Sequence, residues 1–101
     1  MMPGGFSDVE PATPEVQAIA DQVKPELEEK ENTTYEVFEA LEYRMQVVAG
    51  INYLIKVSIS ETEDQCVHLM VYVALPPENQ EPSLTAYQLD KTKTDPLDPV
   101  A

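Results

Sequence analysis

Two runs of alternating apolar and polar residues, joined by the pentapeptide Gln46–Gly50, constrain the fold of this chain more than any other feature. Strict alternation is typical of half-buried strands, and a short glycine-containing connection between two such runs predicts a β-hairpin. Hairpin turns usually contain Asn, Asp, Gly or Pro. Here Val47, Val48 and Ala49 lie where polar turn residues are expected. Because an exposed apolar tip is unfavourable in water, this tip predicts a surface that is buried against another molecule.

Length and composition predict one small domain. A chain of 101 residues can bury one modest core, so we expect residues 1–101 to form a single domain. The sequence has no apolar run long enough to cross a membrane, and its start does not have the pattern of a secretory signal. Cys66 is the only cysteine and cannot form an internal disulfide, which is typical of a reducing compartment. We therefore expect a cytoplasmic protein.

The charge of the chain argues against two classes of partner. Nineteen acidic and six basic residues give a net charge of −13, which would repel nucleic acid and anionic membranes. Two acidic clusters, Glu28 with Glu29 and Glu61 with Glu63 and Asp64, lack the ligand spacing and central glycine of a calcium-binding loop. We interpret them as solvated surface and expect no metal and no cofactor.

One amphipathic helix is predicted after a flexible arm that comprises residues 1–12. Thr13 can cap the helix, Pro14 suits its first position, and Glu15 favours the positive end of the helix dipole. Pro25 lies inside the pattern and is expected to kink or weaken the helix, because it lacks an N–H donor. The apolar stripe of this helix consists of Val16, Ile19, Ala20, Val23 and Leu27.

Four strands are predicted after the helix, at 42–48, 51–59, 66–75 and 84–91. The stretch that contains Tyr35, Phe38 and Leu41 either extends the helix or starts a strand. One helix followed by antiparallel hairpins can bury its stripe only against the apolar face of the sheet, which predicts an α+β domain. Residues 96–101 are expected to form a loose tail, since Pro96 and Pro99 disfavour a further strand.

The chain resembles the stefins, the intracellular single-domain branch of the cystatin family of cysteine-protease inhibitors. The resemblance extends from Met1 to Asp95, and beyond it the ending departs from the family pattern. It implies an antiparallel sheet of about five strands wrapped around one long helix, with a short first strand near residues 6–9. The matching segments are Met2–Gly5, Ala12–Gln17, Val23–Pro25, Gln46–Gly50 with Asn52 and Tyr53, Val67–Leu69, Leu75 with Pro76, and Leu84–Gln88 with Asp90 and Lys91.

The resemblance also implies a function, which is reversible, tight-binding, competitive inhibition of papain-like cysteine proteases of the cathepsin type. Three segments would lie side by side and enter the active-site cleft as a wedge, and no chemistry would be required of the inhibitor. The arm would follow the non-primed subsites, the hairpin tip would pack on the primed side, and a second loop would contact the far rim. The residues that this implies are Met1, Met2, Pro3, Gly4 and Gly5 in the arm, Gln46, Val47, Val48, Ala49 and Gly50 in the tip, and Leu75, Pro76 and Pro77 in the second loop.

Two other function classes compete with inhibition by a monomer. An enzyme could be built on Cys66 and His68, which share a strand face. We disfavour it because a nucleophile pair needs an orienting third group in a pocket, and we expect both residues on the half-exposed outer face of the sheet. A non-inhibitory interaction or assembly protein is the other alternative. If Val47–Gly50 straightened, the hairpin could open into a domain-swapped dimer and the wedge would vanish.

Overall fold

The fold is one helix packed on one antiparallel sheet. The computed structural model describes residues 5–75 and 81–98. All strands in these residues belong to one five-stranded sheet in sequence order, and the predicted α+β fold is confirmed. The elements are β1 (Glu10–Pro11), α1 (Pro14–Glu31), β2 (Glu39–Val48), β3 (Gly50–Ser58), β4 (Cys66–Val73) and β5 (Ser83–Lys91).

Local chemistry defines both ends of α1. The hydroxyl of Thr13 accepts a hydrogen bond from the Val16 amide at 3.2 Å, as the capping prediction requires. Asn32 ends the helix in the left-handed conformation, with a φ of 50°. Pro25 lies on the exposed side of α1, and the helix continues past it to Glu31. Because α1 ends at Glu31, the stretch around Tyr35 does not extend the helix, and β2 begins at Glu39.

The inner face of the sheet and the apolar stripe of α1 form the main core. Neighbouring strands pair so that Tyr43, Ile55, Leu69 and Tyr87 form one row across the sheet. Val23 and Leu27 of the helix are completely buried against this face. The buried members of the core are Val16, Ala20, Val23, Leu27, Phe38, Ala40, Ile55, Val57, Val67, Leu69, Val71 and Leu84.

The outer face of the sheet is also covered, because residues 92–98 (the C-terminal segment) cross it. Lys56 of β3 is only 2% exposed, and its ammonium donates to the carbonyl oxygens of Lys93 and Asp95, both at 2.6 Å. The same ammonium lies 3.0 Å from a carboxylate oxygen of Glu42. Further along the segment, Leu97 is 3% exposed. A second, smaller buried region therefore lies on the side of the sheet away from α1.

Because residues 92–98 cover the outer face, the environment of Cys66 and His68 differs from the predicted one. Both side chains are 1% exposed, so the prediction of a half-exposed thiol and a surface histidine is wrong. The alternation along β4 places them on the outer face as predicted. That face is buried because a distant part of the chain packs on it, which alternation within one strand cannot reveal.

The position of the first strand differs from the one that the resemblance implies. The first strand lies at Glu10–Pro11 rather than near residues 6–9. The Ser7 amide donates a hydrogen bond to the Met45 carbonyl at 2.7 Å, as in a strand pair. The Met45 amide, however, donates to the side-chain hydroxyl of Ser7 and not to the Ser7 carbonyl, so the backbone pairing of a strand is incomplete there. The division into a single domain with a mobile arm and a loose tail stays a prediction, although Leu97 in the described part of that tail is buried.

The pairing of β4 with β5 is irregular. The register shifts between Cys66 and His68 and again between Met70 and Val71. On the β5 side, Asp90 has a φ of 58°, a left-handed conformation that Asp tolerates better than most residues. The irregularity is typical of a β-bulge, which bends and twists the strand that contains it.

Candidate functional site

The hairpin tip, Gln46–Gly50, is the turn between β2 and β3. Val48 pairs with Gly50, so Ala49 is the single residue between the two strands. Val47 is 65% exposed and Val48 is 40% exposed, and Ala49 is also exposed. The predicted hairpin is therefore present, and its tip presents apolar side chains to solvent.

Tyr72 of β4 supports this tip from the neighbouring strand. Its hydroxyl donates a hydrogen bond to the Ala49 carbonyl at 2.5 Å. Gly50 has a φ of 143°, a conformation that L-residues rarely adopt. A Cβ on Gly50 would lie 2.6 Å from two ring carbons of Tyr72, which is shorter than real Cβ contacts allow. Glycine is thus required at this position both by the backbone and by the tyrosine ring.

A side-chain hydrogen bond closes the base of the tip. Asn52 of β3 donates its amide N–H to the side-chain oxygen of Gln46 at 2.8 Å, and the two residues face each other across the hairpin. Such cross-strand pairs stabilise a hairpin by a fraction of a kcal/mol, roughly 0.2–1. The tip is therefore ordered by contacts of its own strands and of β4.

The arm approaches the same end of the sheet. Glu10 pairs with Tyr43, and Ser7 hydrogen bonds with Met45, so the chain runs backwards along β2 from Glu10 towards Gly5. The direction of this path is towards Val47. Gly5 is exposed, and a Cβ on it would meet nothing within 4 Å.

Leu75, the residue that begins the second loop, follows β4 and lies on the other side of the tip from Gly5. Val73 pairs with Ile51, which in turn pairs with Val47. Leu75 follows β4 and is 44% exposed. The structure thus places Gly5, the tip and Leu75 at one end of the sheet, with the tip between the other two. Met1, Met2, Pro3 and Gly4 of the predicted site, together with Pro76 and Pro77, lie outside the described residues.

Two grooves lie at the opposite end of the sheet. One of about 470 Å³ is formed by the connection between α1 and β2 and the connection between β3 and β4, and includes Tyr35, Val37 and Ile59. The candidate site itself is convex. A protruding apolar surface is suited to insertion into a concave partner rather than to holding a small molecule.

The buried pair Cys66 and His68 has the wrong electrostatics for nucleophilic catalysis. Burial and the nearby Asp64 raise the pKa of the Cys66 thiol, whereas a reactive cysteine needs a lowered pKa. Burial, together with the charges of Lys56 and Lys91, lowers the pKa of His68 to about 4. Neither ring nitrogen of His68 has a hydrogen-bond partner within residues 5–75 and 81–98. In the same two ranges, no group of three or more His, Cys, Asp or Glu side chains could hold a metal ion.

The tip is evident in the sequence, whereas the residues that support it are not. Tyr72 and the Gln46–Asn52 pair depend on which residues of neighbouring strands face each other. Tyr72 lies 23 positions from Ala49 along the chain, and no local pattern signals that contact. Knowledge of the cross-strand register would have been needed to find it.

Comparison with known proteins gives consistent similarities. The family model described as a cystatin domain matches residues 4–94. The chain is 56% identical to cystatin-A1 of Sus scrofa over 97 residues, which cover 96% of this chain and 92% of that protein. It is 56% identical to stefin-C of Bos taurus over 94 residues, covering 93% and 91%. It is also 53% identical over 97 residues to leukocyte cysteine proteinase inhibitor 1 of Sus scrofa, covering 96% of this chain and 92% of that protein.

No helix in the described part of the chain is long and apolar enough to cross a membrane.

Proposed function

This chain belongs to the stefin branch of the cystatin family and is a cysteine-protease inhibitor, not an enzyme, and we propose that it blocks papain-like proteases with a three-part wedge. The wedge consists of the arm residues Met1–Gly5, the hairpin tip and the loop that begins at Leu75. The observation that carries this proposal is the exposed apolar tip, with Val47 65% and Val48 40% exposed, between Gly5 and Leu75.

The tip supplies affinity by burying apolar surface. Fully burying a valine side chain is worth roughly 1.5–3 kcal/mol, so the exposed parts of Val47 and Val48 together can contribute about 2–3 kcal/mol. Tyr72 and the Gln46–Asn52 bond already order the tip in the free protein. Little conformational entropy is then lost on docking, so more of the burial appears as affinity.

The arm and the second loop extend the contact on both sides of the tip. Glycine in the arm lets the backbone pass close to the enzyme wall, because no Cβ prevents the approach. Leu75 adds an exposed apolar side chain at the other flank. A protease–inhibitor contact typically buries about 1,600 Å² in total, which one hairpin tip cannot provide alone.

The inhibitory form in this proposal is a cytoplasmic monomer. Straightening Val47–Gly50 would join β2 and β3 into one strand and remove the tip, so a swapped dimer should not inhibit. A free, buried thiol at Cys66 is consistent with a reducing compartment. Purified dimer that inhibited papain as strongly as monomer would contradict this part of the proposal.

The proposal is tested by titrating active papain with the purified monomer and with Val48→Asp. We expect stoichiometric, reversible inhibition by the parent chain. The aspartate would bring a charge into an apolar contact and should weaken inhibition by at least about 100-fold.

A matched control is Val9→Asp, which changes another exposed valine (45%) beside β1, away from the tip. It should inhibit like the parent chain. Equal losses in the two variants would mean that added negative charge, and not the tip, weakens binding. A folded monomer that does not inhibit papain would refute the proposed function.

A further inference from the structure

One side chain, Arg44 of β2, connects the two ends of the described chain. Its Nε donates to the Ser7 carbonyl at 2.9 Å, and its Nη1 donates to the Leu97 carbonyl at 2.8 Å. The centre of its guanidinium lies 5.7 Å from the centroid of the Phe6 ring, within the range of a cation–π contact. Arg44 therefore contacts the arm and the C-terminal segment at the same time.

Both acceptors of Arg44 are held by other contacts. Ser7 makes two further hydrogen bonds with Met45, one through its amide and one through its hydroxyl. Leu97 is 3% exposed at the end of the segment that Lys56 binds through two carbonyl oxygens. A guanidinium is planar and presents several donors in a fixed arrangement, so contacts on both sides restrict its orientation. The C-terminal segment thereby fixes Arg44, and Arg44 holds Phe6 and adds a further contact to Ser7 beyond those with Met45.

We propose that Arg44 is a positioning residue for the protease-binding arm, and that the C-terminal segment supports inhibition through it without touching the protease. This inference rests on the proposed function. Holding Phe6 and Ser7 leaves only Met1–Gly5 to be placed in the enzyme cleft. Fixing Phe6 and Ser7 restricts the directions in which the chain before them can leave the sheet, which raises its local concentration at the cleft and lowers the entropy lost on docking.

The test is a double-mutant cycle between Arg44→Met and deletion of Met1–Pro3, with the dissociation rate from papain as the readout. Deleting Met1–Pro3 should by itself speed dissociation. In the full-length arm, Arg44→Met should raise the dissociation rate about 3–10-fold, because the arm is then less restricted and loses more entropy when it docks. In the chain without Met1–Pro3 the same substitution should have almost no effect on the dissociation rate, because the residues that Arg44 is proposed to position are absent.

Two further variants separate positioning from general stability. Arg44→Lys keeps the charge but lacks the planar fork, so it should show most of the effect of Arg44→Met. Lys24→Met is the matched control, since Lys24 also lies over an aromatic ring, Phe38, at 5.8 Å on the helix side of the molecule. It should leave the dissociation rate unchanged in both backgrounds. Amide exchange at Ser7 should be faster in Arg44→Met and unchanged in Lys24→Met.

The outcomes distinguish this inference from the proposed function. Equal increases in dissociation rate in both backgrounds would overturn the inference, because the effect would then not pass through the arm. A deletion of Met1–Pro3 that left dissociation unchanged would overturn both the arm contact and the positioning role, while stoichiometric inhibition through the tip could still stand. Absence of inhibition by the folded parent chain would refute the proposed function itself.

Discussion

The substitution Gly50→Ala tests whether the hairpin tip is built as described. Two costs follow from the structure. The φ of 143° is a conformation that L-residues rarely adopt, which costs about 1–3 kcal/mol. The new Cβ would also overlap the Tyr72 ring and displace the hydroxyl from the Ala49 carbonyl, which costs about 1 kcal/mol more. We expect the free energy of unfolding to fall by about 2–4 kcal/mol.

Urea unfolding followed by circular dichroism measures this loss, and Gly5→Ala is its control. A Cβ on Gly5 would meet nothing within 4 Å, so that variant should stay within about 0.5 kcal/mol of the parent. The two alanines differ only in where they are placed. A larger cost at Gly5 than at Gly50 would contradict the description of both positions.

The two costs at Gly50 can be separated by removing the ring. In a Tyr72→Ala background the overlap is absent and only the backbone cost remains, so Gly50→Ala should cost about 1 kcal/mol less than in the parent chain. Papain inhibition by Gly50→Ala should weaken as the tip shifts. A Gly50→Ala variant as stable as the parent would refute the reasoning.

Two further predictions concern the buried outer face. Because His68 takes up a proton near pH 6.5 when unfolded and only near about 4 when folded, the free energy of unfolding should fall by about 3 kcal/mol as the pH falls through that interval. In His68→Gln the loss of unfolding free energy that comes from His68 should vanish. If the free energy of unfolding of the variant and of the parent fell equally with pH, His68 would not be the group responsible. Cys66 should react with a thiol reagent in urea but not in the native protein, because its side chain is buried and its pKa is raised. Rapid labelling of native protein would show that residues 92–98 do not cover it.

Elements with strong local signals were predicted well. Thr13 and Pro14 set the start of α1, and the alternation in β3 and β4 placed these strands within two residues of their observed ends. The start of β2 was missed by three residues because the register shifts between Ala40 and Glu42, which interrupts the alternation. β1 has only two residues, and so short a strand carries no periodic pattern.

Features that depend on distant contacts could not be predicted from the sequence. The burial of Lys56, Cys66 and His68 arises because residues 92–98 cross the outer face. Nothing in the sequence of β4 itself indicates this covering. For the candidate site, the apolar tip was visible in the sequence, whereas its support by Tyr72 depends on strand register.

The bulge in β5 has a consequence for how the protein behaves at high concentration. In the described part of the chain, β5 is the last strand of the sheet, so one of its edges has no neighbouring strand to pair with. A long, regular edge is a template on which a second molecule can add a strand, which is the first step of edge-to-edge aggregation. The left-handed conformation of Asp90 and the two register shifts interrupt the regular pattern of that edge, and such bulges increase the local twist of a strand. The same irregularity that fits β5 to β4 thereby limits the length over which a foreign strand could pair, and charged Asp90 and Lys91 disfavour such pairing further.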